Sequence, residues 1–532
     1  MIVSFFLFTA ALTGSIVAGR FLMKRLKSWD WIERLIASYL PATLLTVLML
    51  LGHKIATVIY DEHSWIRFEK TFMVALGYPL YYGPAAGPAI AAIYGPVSVL
   101  AYLPATLTHS PELSLRIAEA IAIGFFFLPV LWLCTAGTLK DKPLFAFALT
   151  AFLCFCFLAI LLTNLRNAAF TVHADAPTLG LCALACACLY FRKNPNHWGA
   201  LLGSSIFVIL AVWSKQVAVP LILALSLYVF LADGWPTLKR FLLCLLIAGI
   251  LISGLFLMIY NPHDMLFNMF TLPSRHPLKD GGWVMVLQAF FRMFRETLLI
   301  LVIAYFSLRP LIPSKDRPVP FSNWVQSNPW FLFVIVGILM MPISIWSSIK
   351  VGGSNNTLSY PNYFLLITLI LGMITVRRRN LSASLPLSIN IKKMTAILTS
   401  ILLCIQIPAV FYRIATVGSQ NNFAKLAYNY IKAHPGKSYF PRLTLLHLLA
   451  EGKVYHTIDG LMDRHWAGFP VEGEHLQAHI PRDTEIIAFS GEDHKWLLPL
   501  EGFSTGYQDF EELPGFVVYL RNKIQEGQLP VS

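Results

Sequence analysis

The sequence predicts an α-helical polytopic membrane protein with about twelve transmembrane helices, interfacial helices in the first outer loop and a small C-terminal α/β domain. Of its 532 residues, 56% are hydrophobic and only 13% are charged, whereas a soluble domain carries about 25% charged residues. Apolar runs approaching the ~20 residues that cross a bilayer recur along residues 1–415. From residue 416 to 532 the composition turns polar and mixed, which predicts the second domain.

The first apolar run, from Ile2 to Ala18, is expected to be a retained helix. No basic residue precedes it, so it lacks the charged region of a secretory signal. A cleaved signal is the alternative, because Ala18 and Gly19 would suit a signal peptidase.

Basic residues predict the direction of each crossing. With Lys24–Lys27 placed in the cytoplasm, alternate helices bring Lys239, Arg240 and the run 377–379 to the same side. Cytoplasmic loops carry the excess of Lys and Arg, so the formal net charge of +13 indicates topology and argues against nucleic-acid binding. This register predicts a plasma (inner) membrane protein, in contact with membrane lipids, whose residues 416–532 are extracytoplasmic.

Two adjacent carboxylates, Asp61 and Glu62, follow the second apolar helix at its outer end. Neighbours on a helix point about 100° apart, so we expect one to face a cavity and the other a supporting group. A hydrated helix end is the alternative. Trp65, Phe68 and Phe72 then recur at helical spacing, which predicts an amphipathic helix lying on the membrane.

The segment from Gly77 to Thr108 contains five prolines. Proline at this density breaks a helix, so we expect short helices in the interface and no full crossing.

Asp175 lies in the sequence His173-Ala174-Asp175-Ala176-Pro177. An Asp before a first-turn proline is a good N-cap, so capping alone is one interpretation. The same register, however, places Asp175 on the membrane side of Asp61, which favours a site. His173 is then either its partner or a surface residue.

Two lysines are expected on this outer side. Lys215 either extends to lipid headgroups or holds an anionic phosphate leaving group. Lys350 precedes Gly352-Gly353 and Asn355-Asn356; here backbone N–H groups and amides could bind an oxyanion, or the glycines simply form a turn.

Metal ligation is not indicated by any motif. Among His263, Asp264 and His276 no spacing is diagnostic of a metal centre. No cofactor is predicted with certainty, and a divalent metal stays an open question at this stage.

The order of these motifs resembles the polytopic C-superfamily glycosyltransferases, of the protein mannosyltransferase and lipid A aminoarabinose transferase type. The likeness covers roughly His53 to Arg379. It is carried by Asp61-Glu62, Gly77-Tyr78-Pro79-Leu80-Tyr81, Tyr94-Gly95-Pro96, Arg116, His173-Ala174-Asp175-Ala176-Pro177, Ser214-Lys215-Gln216 and Lys350-Val351-Gly352-Gly353. His63 after the acidic pair and the additional first helix depart from the family pattern.

The resemblance implies an enzyme that moves a sugar from a polyprenyl phosphate carrier to a hydroxyl of a lipid, glycan or protein acceptor at the outer face. It implies that Asp61 is the general base, supported by Glu62, and that Asp175 is the second catalytic aspartate. The residues expected to bind substrate are Trp65 and Tyr81 along the donor tail, Arg116, Lys215 and Lys350 at the phosphate, and His173 and Asn355.

Two other classes of function stay open. A transporter or flippase would also be polytopic, but transporters place ionisable residues near the bilayer midplane, whereas these candidates gather at one surface. A membrane scaffold whose C-terminal domain binds a partner is the weaker alternative.

Overall fold

The computed structural model describes residues 2–108, 110–195, 197–313, 319–379, 390–416, 422–490, 498, 503–504 and 510–522. The first half of the chain contains α1 (Ile2–Arg25), α2 (Trp31–Thr57), α3 (Glu62–Ala75), α4 (Val97–Leu100), α5 (Pro111–Thr135), α6 (Lys142–Leu161), α7 (Thr163–Ala169), α8 (Asp175–Tyr190), α9 (Trp198–Val212) and α10 (Pro220–Ile259). Then follow α11 (Pro262–Leu266), α12 (Leu272–Arg275), α13 (Trp283–Leu308), α14 (Phe321–Ser327), α15 (Phe331–Ile349), α16 (Ser359–Arg378) and α17 (Ile391–Thr416).

The C-terminal part contains α18 (Phe423–Ala433), β1 (Ser438–Tyr439), α19 (Thr444–Glu451), α20 (Ile458–Trp466), α21 (Gly473–Ala478), β2 (Ile486–Ser490) and β3 (Phe516–Leu520). The strands form one sheet in the order β1-β2-β3, with β1 parallel and β3 antiparallel to β2. The predicted small α/β domain is confirmed, and residues 1–415 and 416–532 are kept as the proposed domain division.

Within the described residues, eight segments are long and apolar enough to cross a membrane, and three further apolar helices are shorter. The longest helix, α10, has 40 residues and departs from helical geometry at Gly234, whose φ is +75°. Forty helical residues would extend ~60 Å, twice the hydrocarbon thickness, so α10 accommodates two crossings. The predicted multi-pass helical membrane fold is confirmed.

Helix α16 lies at the centre of the bundle. Nearly all residues of its apolar segment are buried, and it packs against α6, α13 and α15. A helix that is apolar on all sides is stable only where every side has a neighbour. One end of α16 carries Arg377, which pairs with Glu33. The other end begins at Ser359, shortly after the 350–357 loop, and the candidate site lies there.

The predicted membrane-facing aromatic stripe of α3 is wrong. Trp65, Phe68 and Phe72 are buried in the protein core, and the indole of Trp65 donates to the carbonyl of Ile59 (2.9 Å). The C-terminal helix α19 packs against α3. Helical spacing shows that one face of a helix is apolar, but it does not show whether lipid or protein covers that face.

Candidate active site

A cavity of about 510 Å³ opens at this end of the bundle. Its lining combines the segment between α2 and α5, called the first outer loop after its predicted position, the helix ends around His173 and Lys215, residues 269–276, the end of α15 with the 350–357 loop, and the C-terminal helix α20. Four of the sequence-predicted residues thus come together. His173, Lys215 and Lys350 line the cavity, and the buried Asp175 contacts His173 and Lys215.

Asp175 accepts hydrogen bonds from four side chains. Its Oδ1 receives the ammonium of Lys215 (2.5 Å) and the hydroxyl of Tyr360 (3.0 Å). Its Oδ2 contacts Nδ1 of His173 and accepts from the amide of Asn356 (2.6 Å each). The side chain is 0% exposed, and a carboxylate buried in this way is stable only when it is paired. Asp175 therefore organises the polar groups around it.

The interpretation of Asp175 as a simple N-cap is wrong. Helix α8 begins at Asp175 itself, and the residue before it, Ala174, provides no side-chain cap. Its carboxylate instead accepts hydrogen bonds from other side chains, whereas a capping side chain accepts from the backbone N–H groups of the first turn.

Burial and the charge of Asp175 together determine the protonation states of Lys215 and His173. Burial disfavours the charged form of Lys215, but the Asp175 carboxylate outweighs that effect and raises the pKa of the ammonium. Burial lowers the pKa of His173 to about 4, although Asp175 opposes the change. His173 is consequently a neutral imidazole. Because a carboxylate only accepts, Nδ1 donates to Asp175 and Nε2 is left as an acceptor.

Tyr94 covers this group from the first outer loop. The ammonium of Lys215 lies 5.0 Å from the centre of the Tyr94 ring, and the His173 ring meets the same ring edge-on at 5.1 Å. The hydroxyl of Tyr81 donates to the backbone carbonyl of Tyr94 (2.9 Å). Tyr81, which we expected along the donor tail, is buried outside the cavity and holds Tyr94 in place.

Lys350 also lines the cavity. Its ammonium donates to the carbonyl of Pro273 (2.7 Å), which ties the 350–357 loop to α12. In that loop Asn356 reaches Asp175, whereas the predicted Asn355 lines a smaller neighbouring pocket of about 150 Å³.

Asp61 and Glu62 point in different directions, as their adjacent positions predict, but neither lines the cavity. The Asp61 carboxylate accepts from the Ser64 hydroxyl (2.5 Å), and that hydroxyl accepts from the amide of Val172, beside His173. Glu62 turns to the C-terminal domain, where it pairs with Arg442 (3.4 Å) and accepts from Ser490.

The remaining predicted residues also lie outside the cavity lining. Trp65 is in the core, as described above, and Arg116 lies in the second turn of α5, half-buried. Their roles as substrate-binding residues stay predictions.

Sequence reasoning missed the wall formed by the C-terminal domain. Asp459, Met462, Asp463 and Trp466 of α20 all line the cavity. Their spacing follows one face of a helix, and that pattern was the only available signal.

No group of three or more His, Cys, Asp or Glu side chains able to hold a metal ion occurs in the described ranges. Nε2 of His276, considered above as a ligand, donates to the backbone carbonyl oxygen of Asp463 (3.1 Å).

No family model and no curated protein matches the chain. Among solved structures, two crystal structures of ArnT from Cupriavidus metallidurans, one apo and one bound to undecaprenyl phosphate, superimpose with a TM-score of 0.55 at 12% identity. The match covers 90% of this chain and 97% of ArnT. This chain has the ArnT fold.

The predicted resemblance to the polytopic C-superfamily glycosyltransferases is thereby confirmed for the fold. The archaeal oligosaccharyltransferase AglB from Archaeoglobus fulgidus, in complex with an inhibitory peptide and a dolichol-phosphate, matches with a TM-score of 0.34 at 12% identity over 84% of this chain and 69% of AglB. That match carries none of the argument below. The ArnT-like fold extends over almost the whole chain, including residues that the resemblance by motif did not cover.

Proposed function

We propose that this protein is an integral-membrane glycosyltransferase that moves a sugar from a polyprenyl phosphate to an acceptor hydroxyl. The observation that carries the proposal is the buried Asp175–Lys215 pair (2.5 Å), which opens on a large cavity at one end of the bundle. The fold is that of ArnT, which has been crystallised with undecaprenyl phosphate.

Lys215 is the proposed phosphate ligand. An ammonium has three donors, and one of them is used by Asp175, so the others are available on the cavity side. Because Asp175 stabilises its charged form, this ammonium would offset the negative charge that develops on the leaving phosphate. Lys350, which also lines the cavity, is the proposed second cation for the same group.

The proposed transfer forms a bond between the acceptor oxygen and the anomeric carbon while the bond from that carbon to the phosphate oxygen breaks. The phosphate keeps the electron pair, and the acceptor proton goes to a base. By resemblance that base is Asp61; in this conformation its carboxylate is connected to the site through Ser64 and Val172. We further propose that the cavity and residues 416–532 face the outside of the plasma membrane, in accordance with the charge pattern.

The test uses purified full-length protein and membranes from a strain that lacks it, which supply the lipid-linked sugars and the acceptors. Wild type is expected to release polyprenyl phosphate, and the Lys215→Met variant to release almost none. Lys142→Met, an exposed lysine at the start of α6, is the matched control. Equal release with Lys215→Met would contradict the role of Lys215.

The same purified protein also distinguishes transport from glycosyl transfer. Movement of a lipid-linked sugar across liposomes by wild type, without any release of polyprenyl phosphate, would favour the transporter or flippase over the transferase.

A further inference from the structure

The C-terminal domain contributes one continuous helical face to the cavity. Asp459, Met462, Asp463 and Trp466 of α20 are spaced i, i+3, i+4 and i+7, so their side chains lie on one side. Trp466 is half-buried, lies against Gly352 and meets His276 edge-on at 5.9 Å. The face therefore combines two carboxylates with an aromatic ring.

This face is held rigidly against the membrane domain. The guanidinium of Arg464 donates to the carbonyls of Gly83 and Pro84 (2.9 Å each). Gly460 passes so close to the first outer loop that a Cβ there would lie 2.3 Å from the carbonyl oxygen of Ala89. Only glycine fits such an approach, so α20 is a fixed wall of the cavity.

Asp463 is buried, with 8% of the residue exposed, yet its carboxylate accepts no hydrogen bond from any residue within the described ranges. Nε2 of His276 lies 3.7 Å from its Oδ1. Burial lowers the pKa of His276, so this ring is neutral near pH 7. On the same face, Asp459 pairs with Arg67 of α3 at 3.5 Å.

We propose that this face of α20 is the acceptor subsite and that Asp463 and Trp466 recognise a saccharide that carries the hydroxyl to be glycosylated. The inference rests on the proposed function, and it selects a glycan or glycolipid headgroup from the acceptor classes that the sequence left open.

The chemistry of the face matches a sugar ring. A carboxylate only accepts hydrogen bonds and binds donors more strongly than a neutral acceptor does, and a saccharide offers several hydroxyl donors along its edge. Its C–H faces are apolar and pack on an aromatic ring such as Trp466. The two aspartates repel a phosphate, so the donor phosphate is left to Lys215 in the membrane-domain part of the lining.

Ionisation of Asp463 makes acceptor binding depend on pH. Burial raises the pKa of Asp463 to about 7, with Asp459 adding to the rise and Arg67 and Lys70 opposing it. The fraction of the protein in which Asp463 is ionised therefore increases as the pH rises through about 7, and acceptor binding is expected to increase with it.

The experiment varies the glycolipid fraction of those membranes at fixed donor and follows released polyprenyl phosphate and the glycosylated product by mass spectrometry. Asp463→Asn is expected to raise the apparent KM for this fraction about tenfold or more, since a charged hydrogen bond is lost, and to leave kcat and the thermal shift caused by undecaprenyl phosphate unchanged. Asp463→Glu should recover part of the affinity. Trp466→Leu should also raise KM.

Asp483→Asn, an exposed aspartate of the same domain, is the matched control. If Asp463→Asn lowers the melting temperature, Asp459→Asn on the same face provides the measurement instead. A variant that lowers kcat at unchanged KM, or sugar found on protein and absent from the glycolipid, would overturn the saccharide subsite. No release of polyprenyl phosphate by wild type would overturn the proposed function and this inference together, whereas normal kinetics of the variants beside an active wild type would overturn the inference alone.

Discussion

Asp175 and Asp463 are buried aspartates at the same cavity, but their surroundings differ. Asp175 accepts from Lys215, Tyr360, Asn356 and His173. Asp463 lies 3.7 Å from Nε2 of the neutral His276, and its carboxylate accepts no hydrogen bond in the part of the chain that the structure describes. A carboxylate with four donors serves to position other groups, whereas a buried carboxylate without donors is available to a ligand. On the proposals above, the comparison distinguishes a membrane-domain wall for the phosphate from a C-terminal wall for the acceptor.

The largest expected effect follows from Asp175→Asn. Removing one partner of a buried ion pair leaves the other charge uncompensated and costs about 3–5 kcal/mol, so we expect a much lower melting temperature and sugar transfer below detection. Replacing both partners, as Asp175→Asn with Lys215→Met, should recover part of the stability and none of the activity. If Asp175→Asn alone were as stable as wild type, the four hydrogen bonds of Asp175 would not distinguish it from Asp463.

Asp61→Asn tests the residue that the resemblance assigns as the base. A general base contributes ~10²–10⁴ in rate, so transfer is expected to fall by that factor at equal protein levels in membranes. Ser64→Ala is the companion variant, because Ser64 is the hydrogen-bond donor to Asp61. A loss smaller than about tenfold would assign Asp61 to support of the membrane-domain wall.

Stability should respond to Asp463→Asn in the opposite direction from Asp175→Asn. The pKa of Asp463 rises from 3.8 to about 7 on folding, so the folded state binds this proton more tightly than the unfolded state. Stability therefore decreases as the pH rises between these values, and the full cost is present above pH 7. We expect the asparagine variant to melt roughly 2 °C higher at pH 8 and the gain to shrink toward pH 4. Asp483→Asn should show no such gain.

The smallest expected effects concern the adjacent residues Asn355 and Asn356, whose contributions to transfer should differ. Asn356 donates to Asp175, and Asn355 lines the neighbouring pocket. Loss of a hydrogen bond to a charged group costs about 1.5–3 kcal/mol, so Asn356→Ala should reduce transfer by roughly tenfold or more. Asn355→Ala should stay within about twofold. The reverse order would support the sequence prediction that Asn355 binds substrate.

The sequence predicted the fold well because membrane spans are long and apolar. The predicted change of character at residue 416 coincides with the end of the last long apolar helix, α17 (Ile391–Thr416). The sequence also predicted that His173, Asp175, Lys215 and Lys350 share one side, since topology and charge bias are properties of the chain itself.

Packing between distant segments was beyond the sequence. Asp459 and Asp463 lie on a short helix whose spacing equally describes a solvated face. Nothing in their neighbourhood indicates that α20 docks on residues 83–89 and faces a cavity. For the same reason the aromatic face of α3 was assigned to lipid, although it is covered by protein.

The contact between Ala89 and Thr457 also bears on how the protein is made. These residues are 368 positions apart, and their backbone and side-chain hydrogen bonds attach α20 to the first outer loop. A ribosome has therefore synthesised all of the membrane helices before the last cavity wall can be added. On the proposals above, a nascent chain holds the phosphate-binding wall without the acceptor wall, so glycosyl transfer begins only after α20 has been synthesised and packed against this loop.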